Sequence, residues 1–282
     1  MIINRVDLVG FRYQKINSDY FFKPGLNIIE GSNATGKSTI INSIVSGFSS
    51  ETYQELWGGF LYHRLNQEPV ITIEYQYQQV SYCLTKKVKK DGMECQIYVI
   101  DEEGGKSLLC EGTKAIEVAK QHSSQIIYLE SDYFHRIYSR GDEYRNFFLG
   151  EFDHDNQSSS EFFSLVNELM LEYASGNWFL GIEIAVVDGH VVFRERKSGR
   201  QLNLGGGAKT QFTLMSLIAL TKLREDSPIL ILDDWCVGMD YGMVPGIIQS
   251  IDGALDSQVI VSTFPMMLND LEVEQHKIQL KK

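Results

Sequence analysis

With 282 residues, the chain is long enough for one large domain or two small ones with a sizeable hydrophobic core. Hydrophobic residues make up 43% and charged residues 22%, which excludes an intrinsically disordered chain, and no apolar run reaches the ~18 residues that a membrane span needs. The formal net charge of −11 excludes a protein that coats nucleic acid with its whole surface. Any DNA or RNA contact must therefore use a local basic patch or a partner's surface.

The N-terminus, MIINRVDLVG, alternates like a strand and lacks the apolar core of a signal peptide. The four cysteines show no CxxC pairing, so neither a zinc site nor a disulfide framework is expected. Together these features predict a cytoplasmic protein.

The segment GLNIIEGSNATGKSTIINSIVSGF, from Gly25 to Phe48, follows the order strand, loop, helix. An apolar strand precedes the loop, and apolar residues recur at helical spacing after it. The loop fits the phosphate-binding pattern Gly-x-x-x-x-Gly-Lys-Ser in the structural context that this pattern requires. The pattern predicts a site for ATP and Mg²⁺.

Each residue type in this loop suits a triphosphate. Glycine lets backbone N–H groups wrap a phosphate, and Lys37 adds positive charge at the β- and γ-phosphates, which makes it a catalytic candidate. The Ser38 hydroxyl is predicted to bind Mg²⁺. The loop residues expected to contact the nucleotide are Gly31, Ala34, Thr35, Gly36, Lys37, Ser38 and Thr39.

Val, Ile, Tyr and Thr dominate the stretch from Glu68 to Gly105, which has turn signals at KKDG and DEEGG. This composition predicts antiparallel strands in a β-subdomain over about 68–105. The same stretch holds the basic run KKVKK, Lys86–Lys90. Two interpretations stay open for it: a solvated strand end, or a local patch that contacts nucleic-acid phosphates.

Further along, SSQIIYLESDYF (Ser123–Phe134) predicts a strand that leads out of the sheet. A β-hairpin with its turn at Asp188-Gly189 is predicted over Ile182–Arg196. It leads into LNLGGGAKTQ, Leu202–Gln211, whose three glycines fit either a linker or a loop that contacts phosphate, followed by a helix over Phe212–Leu223. Before the hairpin, an apolar stripe at helical spacing predicts a helix; the stripe consists of Phe162, Phe163, Val166, Leu169, Met170 and Tyr173.

The segment SPILILDDWCVGMD, Ser227–Asp240, begins with an apolar run of strand length, as in a buried parallel strand. The run ends in Asp233 and Asp234, and carboxylates at the carboxyl end of such a strand lie where ligands bind in open α/β sheets. Asp233 is predicted to bind Mg²⁺ and Asp234 to orient or deprotonate the attacking water.

In this order, the segments resemble the ABC-type ATPase heads of the SMC/RecF class. VDLVGFRYQ and FKPGLNIIEGSNATGKSTI are similar to the opening strands and phosphate loop of such heads, and LGGGAKT stands where they carry the signature motif LSGGEKT. LILDD resembles their Walker B strand, VGMD their D-loop, and QVIVSTF their last sheet strand with its switch position. The resemblance covers most of the chain.

The resemblance implies an α/β fold, a P-loop NTPase with a mostly parallel core sheet, an inserted antiparallel β-subdomain and a small helical lobe. It predicts a single head over 1–282: an N-terminal lobe over 1–130, the helical lobe over 131–180 and a C-terminal lobe over 181–282. There is no long heptad run, so the coiled coil of SMC proteins is not expected.

The resemblance also implies further site residues. Glu130 stands near the place of the Q-loop glutamine and is a weaker catalytic candidate; a solvent-exposed strand end is the alternative for it. Additional nucleotide contacts are expected from Arg12, Asn33, Gly205, Gly206, Gly207, Lys209 and Asp240.

Four positions depart from the pattern of the class. In the signature motif, Gly205 stands where the class has serine, and Ala208 stands where it has an acidic residue. Asp234 stands in place of the catalytic glutamate, and Phe264 stands in place of the switch histidine. Aspartate is one methylene shorter than glutamate, and the missing serine removes a hydrogen bond to a partner's γ-phosphate, worth ~1–3 kcal/mol. Slow hydrolysis is therefore expected.

The resemblance implies an ATPase that dimerises through ATP-sandwiched faces, as a homodimer or heterodimer, in DNA repair, recombination or anti-phage defence. A separately encoded nuclease or effector is an expected partner, with DNA contact through a local basic patch and no membrane. Two alternatives remain: a nucleotide-sensing regulator with negligible hydrolysis, and a transporter ATPase subunit, against which the antiparallel insert and Phe264 argue.

Overall fold

The computed structural model describes residues 1–11, 18–49, 68–89, 92–129, 156–173, 181–187, 190–236, 242, 244–264 and 276–280. Its helices are α1 (Lys37–Phe48), α2 (Thr113–Ser123), α3 (Asn156–Tyr173), α4 (Gly206–Leu223) and α5 (Val244–Ala254). Its strands are β1 (Ile2–Val9), β2 (Ser18–Phe21), β3 (Leu26–Glu30), β4 (Val70–Tyr77), β5 (Val80–Lys89), β6 (Gly92–Ile100), β7 (Lys106–Glu111), β8 (Ile126–Leu129), β9 (Ile182–Val187), β10 (His190–Glu195), β11 (Gln201–Leu202), β12 (Ile229–Leu232), β13 (Val259–Thr263) and β14 (His276–Gln279).

The strands form three sheets. A five-stranded parallel sheet has the order β14-β3-β13-β12-β8. A six-stranded antiparallel sheet has the order β2-β1-β4-β5-β6-β7, and a small antiparallel sheet has the order β11-β10-β9. The predicted fold class, a P-loop α/β fold with a parallel core sheet and an antiparallel β-subdomain, is confirmed.

The parallel sheet is covered on both faces, which explains why its strands are continuous apolar runs. Successive residues of a strand point to opposite faces, so β12 divides its side chains between two cores. Leu230 and Leu232 pack with α3, α4 and α5, whereas Ile229 and Ile231 pack with α1, α2 and the antiparallel sheet. The parallel sheet is therefore the central layer of the molecule.

Helix α1 lies between the parallel sheet and the antiparallel sheet, where Ile40, Ile44 and Phe48 are fully buried. The helix approaches β4 closely at Gly47, because a Cβ there would lie 2.5 Å from the Ile73 Cδ1 atom. The glycine thus allows the antiparallel sheet to pack directly on the helix that follows the phosphate loop.

The predicted apolar stripe lies on α3, where Phe162, Val166, Leu169 and Met170 are buried; the side chain of Tyr173 lies outside the described residues. Asn167 joins this helix to β9, since its side-chain amide donates to the Ile184 carbonyl at 3.0 Å and its Oδ1 accepts from the Ile184 N–H at 2.9 Å. The strands of the predicted hairpin pair as expected, with Val187 opposite His190, and its turn lies outside the described residues.

Two features differ from the sequence-based predictions, and one turn was not predicted. Helix α4 begins at Gly206, inside the glycine stretch, instead of at Phe212. QVIVSTF is not the last strand, since β14 follows at the edge of the sheet; its short, polar HKIQ sequence gives no clear strand signal. The β4–β5 hairpin turns at Gln78 and Gln79, both with positive φ, although neither is a usual turn residue for this geometry.

The basic run is not a uniformly solvated strand end. Lys86 is buried, and its Nζ donates to the Ser46 carbonyl at 2.5 Å and to the Ser49 carbonyl at 2.9 Å, at the C-terminal end of α1. Alternation along β5 turns Lys87 to the outside, where it pairs with Glu68 at 2.8 Å. The solvated interpretation is therefore wrong for Lys86.

None of the helices in the described part of the chain is long and apolar enough to cross a membrane.

We expect Lys86→Met to lower the free energy of unfolding by about 1–3 kcal/mol, because two carbonyls at the end of α1 lose a charged donor in a buried site. Urea unfolding followed by circular dichroism measures this change. Lys87→Met is the matched control and should change stability little, since its ion pair is half exposed. Equal effects of the two substitutions would contradict the buried capping role of Lys86.

Candidate functional site

Three neighbouring strands of the parallel sheet end at the same edge. In β3 and β13, Glu30 pairs with Thr263, and in β12 and β13, Leu232 pairs with Val261. The residues that follow these strands, the phosphate loop, Asp233 and Phe264, therefore meet at the carboxyl edge of the sheet, where ligands bind in open α/β folds.

The phosphate loop is a compact turn between β3 and α1. Ala34 and Gly36 have φ values of 62° and 100°, and the Thr35 hydroxyl donates to the Ser32 carbonyl at 2.9 Å. The Gly31 N–H donates to the Thr263 carbonyl at 3.3 Å, which ties the loop to β13. A Cβ on Gly31 would lie 2.3 Å from the Thr35 Oγ1 atom, so the loop requires glycine there.

Helix α1 begins at Lys37 without a side-chain cap on its N-terminus. The first N–H groups of a helix have no partner within the helix, and together with the helix dipole they favour an anion. The geometry of loop and helix therefore fits a phosphate group.

The Lys37 side chain is buried at this edge. Its Nζ donates to the Gly31 carbonyl at 2.9 Å and to the Ser32 carbonyl at 3.2 Å, and lies 4.5 Å from the centroid of the Phe264 ring. Burial lowers the pKa of Lys37, and the Asp234 and Asp233 carboxylates oppose this effect.

Asp233 lies in a buried position next to Ser38. The Ser262 hydroxyl donates to Asp233 Oδ1 at 2.6 Å, and the Ser38 side chain lies beside the same carboxyl group. Burial raises the pKa of Asp233, while the neighbouring Ser262 and Ser38 hydroxyls lower it. The two predicted Mg²⁺ ligands, from α1 and from the end of β12, are thus in contact.

Asp234 has a φ value of 45°, which is uncommon for a residue other than glycine. Its backbone N–H donates to the Ser262 Oγ atom at 2.9 Å, which stabilises this conformation. Ser262 therefore contacts both acidic residues, accepting from Asp234 and donating to Asp233. Backbone conformations of this kind often occur at functional sites.

Among the described residues, no group of three or more His, Cys, Asp or Glu side chains could form a metal site. Mg²⁺ does not require such a cluster, since it is commonly held by one or two protein oxygens together with substrate phosphates and water. The Ser38–Asp233 pair beside the phosphate loop fits this mode of binding.

The structure brings together the predicted residues of the phosphate loop, Asp233 and Asp234. Gly205, Gly206, Gly207 and Lys209 lie at the start of α4 instead, and in the described part of the chain they form no hydrogen bond with the phosphate loop. The positions of Arg12, Glu130 and Asp240 lie outside the described residues.

Sequence reasoning missed Ser262. Its signal was a polar residue within the apolar run VIVSTF, on the strand next to β12. Because the carboxyl ends of adjacent parallel strands coincide, a hydroxyl at this point of β13 lies beside the first acidic residue after β12.

A separate cavity of about 340 Å³ opens beside the first residues of β8, lined by Ile126, Ile127, Tyr128, Leu220 and Arg224 together with Ser123 and Ser124. Ile126 begins β8, so this cavity lies at the amino end of the parallel strands. It contains no predicted site residue.

We expect Ser262→Ala to destabilise the protein by about 2 kcal/mol at neutral pH, because ionised Asp233 loses a hydrogen bond from a buried hydroxyl. The loss raises the pKa of Asp233 further. A carboxyl with a raised pKa in the folded state contributes stability at low pH that is lost as the pH rises through that pKa. The loss in free energy of unfolding caused by Ser262→Ala should therefore increase from acidic to neutral pH.

Urea unfolding at several pH values measures this difference between the variant and the unchanged protein. Thr221→Val is the control, since it removes a buried hydroxyl that donates to the Leu217 carbonyl within α4. The loss in free energy of unfolding caused by Thr221→Val should not depend on pH. A Ser262→Ala deficit that is the same at acidic and neutral pH would disprove the link to Asp233.

No protein-family profile and no curated protein matches this sequence. Solved structures do: the Smc head bound to the C-winged-helix domain of ScpA has 14% identity and a TM-score of 0.71, covering 93% of this chain and 90% of that chain. The SMC head domain from Thermotoga maritima has 17% identity and a TM-score of 0.61, and the match covers 98% of this chain and 94% of that chain.

A third structure, the Smc head domain with an extended coiled coil bound to the C-terminal domain of ScpA derived from Pyrococcus furiosus, has 12% identity and a TM-score of 0.57, covering 95% and 90%. All three likenesses extend over more than nine tenths of this chain. The chain therefore has the fold of the SMC head domains.

Proposed function

We propose that this chain binds ATP with Mg²⁺, hydrolyses it slowly and dimerises around the nucleotide. The observation that carries the proposal is the contact between Ser38 and Asp233 beside the buried ammonium of Lys37. These side chains come from distant parts of the sequence, and each has the chemistry that its role in triphosphate binding requires.

In the proposed site, the loop N–H groups and Lys37 bind the β- and γ-phosphates, and Ser38 and Asp233 hold the metal. A bound Mg²⁺ would neutralise negative charge that develops on the phosphates. Asp234 orients the attacking water or accepts its proton, with a shorter reach than glutamate. Phe264 has no polar group to offer the γ-phosphate, so we expect slow turnover.

For the dimer, we propose that the start of α4 binds the ATP held by the other subunit. Gly205 is exposed and α4 begins at Gly206 without a side-chain cap, so its first N–H groups are suited to a phosphate. Lys209 adds positive charge nearby. Arg12 and Asp240 are proposed to make further contacts with the nucleotide. Glu130 is proposed as a catalytic residue beside Lys37 and Asp234. The partner subunit is a second copy or a related head.

The cellular role that we propose is in DNA repair, recombination or anti-phage defence, with a separately encoded nuclease or effector. Two of the similar head domains are bound to a domain of ScpA, which supports a protein partner for this head. DNA contact through Lys86–Lys90 is disfavoured, because Lys86 is buried and Lys87 and Lys89 are paired with Glu68 and Glu94. Any DNA contact is therefore expected elsewhere.

A second candidate function is a nucleotide-sensing regulator with negligible hydrolysis. Asp234 and Phe264 favour it, since both replace groups that would accelerate water attack. The two functions share the binding site and differ in turnover.

We expect steady phosphate release from the unchanged protein with ATP and Mg²⁺, and none above background from Lys37→Ala, because the ammonium at the phosphates is lost. A coupled phosphate assay measures both rates. Equal background rates would favour the regulator. An absence of ATP binding in a fluorescent-nucleotide titration would reject both functions.

Dimerisation is tested with Asp234→Asn, which should retain ATP and accumulate as a dimer in light scattering. Adding Gly206→Asp to this variant should abolish the dimer and leave ATP binding intact, because a carboxylate then faces the partner's γ-phosphate. A dimer that survives Gly206→Asp would show that the start of α4 is not the dimer face.

Gly205→Ser should tighten the ATP-dependent dimer at least about fivefold, because it adds a hydroxyl donor for a charged acceptor. The backbone at Gly205, with φ −69° and ψ 166°, accepts serine, and nothing lies within 4 Å of a new Cβ. Dimer affinity is measured by analytical ultracentrifugation in the Asp234→Asn background. Gly205→Ala adds only the methyl group and should leave the affinity unchanged; equal tightening by both would refute the role of the hydroxyl.

A further inference from the structure

The ammonium of Lys37 has three N–H donors. Two of them are used within the phosphate loop itself, by the carbonyls of Gly31 and Ser32. The ring of Phe264 lies 4.5 Å from the Nζ atom, within the range of a cation–π contact. Nζ is thus surrounded by two carbonyls and one aromatic ring.

This arrangement matters because a phosphate oxygen needs an N–H donor from Lys37. The two carbonyls belong to the loop that would wrap the phosphate, and the Gly31 N–H is itself tied to Thr263. The Phe264 ring is held less firmly, since it is only partly buried and packs at the margin of the core formed by α3, α4 and α5. The ring is therefore the partner of Lys37 that can move.

The position of Phe264 in the fold places it in front of the lysine. Phe264 directly follows β13, and β13 lies between β3, which leads into the phosphate loop, and β12, which leads into Asp233. The Phe264 ring reaches the Lys37 ammonium from this position. It offers a π face to a cation and no hydrogen-bond donor to a phosphate.

We propose that Phe264 is a latch residue on Lys37: its ring covers the ammonium, and a triphosphate must displace the ring before Lys37 can donate to a phosphate oxygen. The inference rests on the proposed nucleotide-binding function. The latch lowers nucleotide affinity, because part of the binding free energy is spent on separating the ring from the ammonium.

The contact itself can be tested without nucleotide. Lys37→Met and Phe264→Leu each remove one side of the cation–π pair, so the double variant should shift the urea midpoint by clearly less than the two single shifts combined. Strictly additive shifts would overturn the latch, because they would mean that the ring and the ammonium do not interact.

The displacement is tested by titration with a fluorescent ATP analogue. Phe264→Leu should bind it roughly threefold to tenfold more tightly than the unchanged protein, as expected for removing a partly buried cation–π contact. Phe264→Tyr keeps the ring face and should remain weaker than Phe264→Leu. Phe21→Leu removes the exposed ring near Arg5, at 5.8 Å, and should leave the affinity unchanged.

Weaker or unchanged binding by Phe264→Leu would overturn the latch, since the ring would then position the lysine productively or have no effect. Failure of the proposed function is a different result: the unchanged protein and Lys37→Ala would both fail to bind the analogue. In that case the unfolding experiment still decides whether the ring and the ammonium interact.

Discussion

The register of three parallel strands determines the site. Because β3, β13 and β12 are neighbours and end together, the loop after β3 and the residues after β12 and at the end of β13 are forced into one small volume. Lys37, Asp233 and Ser262 are far apart in sequence, and backbone pairing alone brings their elements to one edge. Their chemistry depends on this pairing, since a shift by one residue would turn Ser262 away from Asp233.

The charged groups at this edge have partners within the protein. Lys37 lies among loop carbonyls, and Asp233 accepts a hydrogen bond from Ser262 and lies beside Ser38. Burial opposes the charged form of both residues, and each hydrogen bond or opposite charge restores it in part. If the proposed function holds, a triphosphate with its metal exchanges these contacts for new ones, and the binding free energy equals the difference between the two sets of contacts.

Much of the fold could be predicted from the sequence because local pattern and tertiary packing agree. The apolar run before Asp233 required a strand that is covered on both sides, and the glycine-lysine-serine loop required a strand before it and a helix after it. The prediction failed for β14, because a short edge strand with one exposed face has too few apolar residues to produce a pattern. It failed for the start of α4, because glycine has low helix propensity and its presence in a first turn depends on tertiary packing.

Within the site, the predicted residues that the fold brings together belong to contiguous motifs, whereas Ser262 depends on a neighbour in space and was not predicted. Ser262 lies one strand away from the acidic pair it contacts, and no spacing rule connects it to Asp233. For Lys86, the run of four lysines around one valine suggested a charged surface. Because side chains alternate between the two faces of β5, Lys86 instead points into the core and contacts the C-terminal end of α1, about 40 residues away in the sequence.

The buried position of Lys86 has a mechanical consequence. Helix α1 is fixed at both ends: its beginning follows the loop tied to β13, and its end is held by Lys86 from β5. Helix α1 therefore links the antiparallel sheet to the parallel sheet through hydrogen bonds near both of its ends. Moving the antiparallel sheet away from this helix would have to separate the buried Lys86 ammonium from its two carbonyl acceptors, so relative motion of the two layers is expected to spare the end of α1.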